Sequence, residues 1–136
     1  MTLIIDSFAW VEFLSAGVGG PRVREIIESP EELVTPDLVL AEVALVFSRQ
    51  GLPVETIAGH LRSIGALSSV RPVSIEIALE TIESDKRLRG LARSKGLGQP
   101  SFADCIILSF ARVLGGRVVT ADRHFRGLNE TVWIGD

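Results

Sequence analysis

The sequence predicts an α/β domain: a central parallel sheet of about five strands with helices on both faces. Three observations predict it. Short apolar, β-branched runs at residues 3–5, 33–36, 70–73, 117–120 and 131–134 alternate with segments of helical periodicity along the chain. The strand runs are continuously apolar rather than alternating, the pattern of strands covered on both faces. No internal repeat, low-complexity segment or composition break divides the 136 residues, a length that suits one hydrophobic core, so residues 1–136 are expected to form a single domain.

The elements follow in order. "LII" is a short buried strand ending at Asp6, and "DSFAWVEFLSAG" reads as a helix capped by Asp6 or Ser7 and stopped at Gly17. Residues 20–29 form a second helix. "LVTP" is a strand, with Thr35 as cap and Pro36 at the first position of a helix running to about Gln50 and stopping at Gly51. Another helix starts at Pro53, a strand lies at "VRPV", and a long helix covers roughly residues 75–94 before the loop "SKGLGQPS". Ser101 opens "SFADCIILSFARVLG", which ends at Gly115-Gly116; "RVVTAD" is a strand, "RHFRGL" a helical turn and "TVWI" a last strand.

Composition excludes several classes. Hydrophobic residues make up 46% of the chain, yet no apolar run approaches the ~18 residues that span a bilayer. "MTLIIDSFAW" has neither the basic start nor the long apolar stretch of a signal peptide, so a soluble cytoplasmic protein without membrane contact is expected. A mean hydropathy of +0.34 leaves apolar surface for an oligomer interface. The single cysteine, Cys105, excludes a disulfide framework and a cysteine-based zinc site; it reads as a core residue. Net charge is −3, but residues 86–126 hold nine Lys or Arg against Asp104 and Asp122, a +7 segment within a chain that is otherwise −10. Such a basic third suits a polyanion or an ordinary solvated face. His60 and His124 read as surface histidines.

Four carboxylates carry the chemical argument. In open α/β sheets ligands bind beyond the carboxyl ends of the strands, where Asp6 follows "LII" and Asp122 follows "VVTA". Taken singly, each is more simply read as a helix cap. Asp104 completes a capping box with Ser101 at a helix start. Glu42 resists a structural explanation: from Leu38 to Phe47 it is the sole polar residue, with no basic residue within four positions. A buried, unpaired carboxylate coordinates something or takes up a proton. If the four converge at about 6 Å, each pair repels by roughly 3 kcal/mol at an effective dielectric near 20. Six pairs give a ceiling on the order of 15–20 kcal/mol against a typical stability of about 5–15 kcal/mol. Such a cluster requires cations or protons, and an all-oxygen donor set suits Mg²⁺ or Mn²⁺.

The whole chain resembles the PIN-domain nucleases, especially the VapC toxins of prokaryotic toxin–antitoxin pairs. "LIIDSFAWVEFL", "VTPDLVLAEVALVF", "SFADCIILSFA" and "VVTADRHFRGL" look like that family's four acidic motifs, in order, with Asp6, Glu42, Asp104 and Asp122 as the acids. Ser7 and Thr120 match supporting hydroxyl positions. The resemblance implies a PIN-like fold and Mg²⁺- or Mn²⁺-dependent endoribonuclease activity, with the four acids as catalytic metal ligands. It further implies homodimerisation and control by a VapB-like antitoxin. The alternative is a non-catalytic PIN-like scaffold that binds RNA or a partner. A receiver domain fits poorly because Asp6 precedes Ser7 rather than a second acid and "VVTAD" lacks the lysine, and a phosphatase because Phe8 stands where Asp-x-Asp needs its second acid.

Overall fold

The computed structural model describes residues 1–136, beginning with the parallel sheet that the apolar runs build. In chain order the elements are β1 (Thr2–Ile5), α1 (Ser7–Leu14), α2 (Gly20–Ile27), β2 (Glu32–Pro36), α3 (Asp37–Arg49), α4 (Val54–Leu67), β3 (Ser69–Arg71), α5 (Ile75–Lys95), α6 (Phe102–Leu114), β4 (Arg117–Thr120), a 3-10 turn (Arg123–Phe125) and β5 (Thr131–Trp133). All four strand pairings are parallel, in the order β3-β2-β1-β4-β5. β1 pairs with β2 through Leu3 and Leu33 and with β4 through Ile4 and Val118.

That order fixes where the helices go. The chain leaves β1 and steps outward to β2 and β3, then returns to the other side of β1 for β4 and β5. Parallel crossovers are right-handed, so reversing direction moves the later helices to the opposite face. Accordingly α1 packs on α2 and α3, and α3 on α4, while α5 packs on α6, which also contacts β1 and β4. The reversal lies between β1 and β4, and a crevice opens there at the strands' carboxyl ends.

The core runs between these layers. Trp10, Phe47, Phe110 and Phe125 are fully buried, each burial contributing about 1.5–3 kcal/mol. Trp10 also satisfies its indole N–H, which donates to Thr35 Oγ1 at 3.0 Å, avoiding the penalty of an orphaned buried donor. Gly116 lets the turn before β4 approach β1 closely, since a Cβ there would lie 2.3 Å from the Thr2 carbonyl oxygen. Gly115, with φ of 65°, adopts the left-handed conformation that ends α6.

Several boundaries differ from expectation. Pro36 is the last residue of β2 and the cap of α3, because its N–H-free nitrogen is tolerated at a strand end as well as at a first helical turn. β3 begins at Ser69 rather than Val70 and stops before Pro72, where no ladder donor exists. His60 is half-buried, its ring 4.9 Å from that of Phe47. Cys105 is buried as expected. No helix is long and apolar enough to cross a membrane.

Candidate active site

At the crevice beside β1 and β4, Asp6, Ser7, Glu42, Asp104 and Asp122 line one groove of about 440 Å³ together with His124. Each acid is delivered by a different segment. Asp6 follows β1 and caps α1, its Oδ1 accepting from Ala9 N–H at 2.8 Å. Asp122 follows β4 and caps the 3-10 turn, its Oδ1 accepting from His124 N–H at 2.9 Å. Asp104 closes the capping box of α6: Ser101 N–H donates to its Oδ2, and its own N–H donates to Ser101 Oγ, both at 3.0 Å. Helix capping and placement in the groove are thus one arrangement, so the capping role does not keep these residues out of the groove.

Glu42 is different. It sits mid-helix on α3, whose buried stripe is Val39, Val43 and Phe47, and it points off the edge of that stripe into the groove. Leu45, one of its apolar neighbours in sequence, faces solvent instead. Glu42 Oε1 is buried with no hydrogen-bond partner, a costly state for a carboxylate oxygen. No lysine or arginine pairs with any of the four acids, although the chain has 14 such residues.

The electrostatics follow from burial and mutual repulsion. Burial lifts the Asp6 carboxyl to about 7, with Asp122 and Glu42 adding to it and the Thr120 hydroxyl and Ala9 N–H opposing it. Burial likewise raises Glu42, reinforced by Asp104 and opposed by Ser7. Asp104 is raised by burial and by Asp122, against the pull of Ser101. Thr120 does not line the groove. It is fully buried beneath it, where its Oγ1 accepts from Asp122 N–H at 2.9 Å and so holds the fourth acid in place.

His124, read from the sequence as a surface residue, belongs to the site. Its Nδ1 lies 2.9 Å from Asp122 Oδ1 and its Nε2 2.8 Å from the Gly98 carbonyl. Both partners are acceptors, so both ring nitrogens are called on to donate, which only the imidazolium can do. Burial works against that charge, and the Gly98 carbonyl with the Asp122 carboxylate outweighs it, raising the pKa. The two-residue spacing from Asp122 within a tight turn was the signal available in the sequence. Ligand atoms of Asp104, Asp122 and His124 lie within 4.8 Å of one another.

The donor set fits a hard divalent cation. It is rich in carboxylate oxygen, its acids have raised pKa values that a 2+ charge would bring down, and one buried oxygen lacks a partner. Asp6, Asp104, Asp122 and Glu42 are the residues able to hold it.

The basic third of the sequence divides into two populations. Arg87 pairs with Glu130, and Arg112 bridges Glu80 and Glu130, tying α5, α6 and the approach to β5 together. Lys95 donates to the carbonyls of Arg123 and Arg126, fastening the 3-10 turn to the end of α5. Arg89 and Arg93 instead line a notch that shares Gln99 with the acidic groove.

A family model described as the PIN domain matches residues 3–130. No protein of curated function matches the sequence. Among solved structures, VapBC2 from Rickettsia felis bound to a DNA fragment from their promoter is similar, with a TM-score of 0.72 at 18% identity, covering 98% of this chain and 97% of that one. A toxin–antitoxin complex from Klebsiella pneumoniae has a TM-score of 0.70 at 16% identity, covering 98% of both chains. Mycobacterium tuberculosis VapC20, a sarcin-ricin loop cleaving toxin, has a TM-score of 0.67 at 17% identity, covering 94% of this chain and 95% of that one.

Proposed function

The chain belongs to the PIN domain family, and from that premise we propose that its acidic groove is the catalytic site of a divalent-metal-dependent endoribonuclease. The observation that carries this reading is the convergence of four carboxylates from four segments with no lysine or arginine to neutralise them. A pure binding scaffold has no use for so repulsive a cluster.

Asp6 and Asp104 are assigned as principal ligands for Mg²⁺ or Mn²⁺, with Glu42 and Asp122 holding a second ion or orienting the attacking water. When bound, the cation would supply Lewis acidity, lowering the pKa of a water and offsetting charge on the phosphate oxygens. The protein's own groups do the rest. Ser7 steadies Glu42, Thr120 fixes Asp122 through its backbone, and His124 places one positive charge at the rim of an otherwise negative groove, easing entry of a phosphodiester.

The solved toxin–antitoxin structures support assignment to the toxin side of a VapBC-type pair, with a VapB-like antitoxin as partner. Homodimerisation belongs to the same reading, and exposed Ile75 and Leu79 on α5 offer apolar surface for it. The test is cleavage of an end-labelled RNA by wild type and by Asp104→Asn, each with Mg²⁺ and with chelator. Wild-type cleavage that disappears in the variant and on chelation is expected. Equal cleavage by both proteins overturns the assignment, and RNA binding by wild type without cleavage favours the scaffold.

A further inference from the structure

Beside the acidic groove lies a second depression, a hollow of about 340 Å³ between α5 and α6, lined among others by Ile82, Asp85, Arg89, Ser101 and Phe102. Three contiguities define it. Ser101 lines both this hollow and the acidic groove, one helical turn from Asp104. Arg89 lines both the hollow and the notch that holds Arg93. Gln99 lines both that notch and the acidic groove. Groove, hollow and notch thus form a ring around residues 99–101.

The hollow's lining is unusual for a solvent-facing surface. Phe102 is 76% exposed and Ile82 is exposed beside it, so an aromatic face and an aliphatic wall stand open to water. At one end Arg89 Nε donates to Asp85 Oδ1 at 2.8 Å. Exposed pairs of this kind within one helix are worth only about 0.3–0.5 kcal/mol, so the guanidinium is readily drawn to a phosphate. Arg93, one turn further on, is exposed and has no carboxylate partner. An open aromatic face, flanked on one side by a phosphodiester-cleaving groove and on the other by two guanidiniums, is the arrangement single-stranded nucleic acid requires: base stacking with cations along the backbone.

Resting on the nuclease reading, we propose that the hollow takes the base of an unpaired ribonucleotide next to the scissile phosphate, stacked on Phe102, while Arg89 and Arg93 hold the following phosphate. A duplex keeps its bases stacked and cannot place one there. The volume is near the lower end of ligand pockets, room for a planar ring system rather than for a helix of a partner protein.

The test uses the full chain carrying Asp6→Asn, to suppress cleavage, and a fluorescein-labelled single-stranded RNA of about ten nucleotides, within the range such sites cover. In this background Phe102→Ala should weaken binding by on the order of tenfold to a hundredfold. An abasic nucleotide at one position of the strand should cause a similar loss, and none further when Phe102→Ala is present. Arg93→Gln should reduce the salt slope by about 0.7, whereas Arg87→Gln, whose arginine is committed to Glu130, should leave it unchanged. Tight binding that Phe102→Ala and every abasic position leave intact overturns the hollow while sparing the nuclease reading. So does a Phe102→Ala protein that falls from dimer to monomer, which gives the hollow to a second copy. A parent that binds no RNA sinks both.

Discussion

Replacing Asp6 by Asn isolates the electrostatic strain in the groove. Asn keeps an oxygen for Ala9 N–H, so the cap on α1 survives and only the charge is lost. The folded carboxyl is raised from 3.8 to about 7, chiefly by burial. A raised carboxyl stabilises the fold in its neutral form. That contribution is whole below about pH 4 and is lost as the pH rises through about 7. At about 1.4 kcal/mol per pH unit the loss approaches 4 kcal/mol by pH 8, an upper bound because water entering the groove softens it. For a chain of this size about 3–4 °C of melting temperature accompanies each kcal/mol. Metal-free Asp6→Asn should therefore melt several degrees above wild type at pH 8, at most about 16 °C, and level with it at pH 4. Calorimetry in chelator across that range makes the comparison. Equal melting temperatures at pH 8, or the same gap at both pH values, refute the reasoning. Saturating Mg²⁺ should narrow the gap, since wild type gains roughly 2.7 kcal/mol when the ion is at 100 times its dissociation constant.

Two further outcomes are expected. Glu42→Gln should stabilise the chelated protein by about 1–2 kcal/mol, by removing charge repulsion around a partnerless oxygen, and should abolish cleavage; a lower melting temperature would reveal a structural hydrogen bond instead. Gly116→Ala should destabilise by about 1–3 kcal/mol in urea titration, because the new methyl meets the Thr2 carbonyl at 2.3 Å and β1 must yield; an unchanged midpoint would show that the turn relaxes freely.

How much was legible in the sequence depends on the range of the interaction. Strand runs and caps are local signals, so the sheet, the helices and the acids at strand ends could be read directly. Asp6 and Asp104 announced themselves as caps, and Glu42 by its isolation among apolar neighbours. What could not be read depends on partners distant in the chain. Arg87 finds Glu130 across 43 positions and Arg112 finds Glu80 across 32, so a basic segment that looked uniform is partly framework. His124 became a site residue because the loop at Gly98, 26 positions away, supplies its second contact. The hollow at Phe102 is lined jointly by α5 and the start of α6, a juxtaposition no periodicity encodes.

Three of the four acids each commit one carboxylate oxygen to a backbone N–H at the start of a helix or helical turn. Their rotamers are therefore frozen as soon as those helical turns form, long before any ion arrives. On the nuclease reading, the ordering entropy of ion uptake would fall chiefly on Glu42, the one acid of the four anchored to no backbone amide. Ions of differing radius would be accommodated there, by the swing of one side chain, with the remaining ligands behaving as a rigid template.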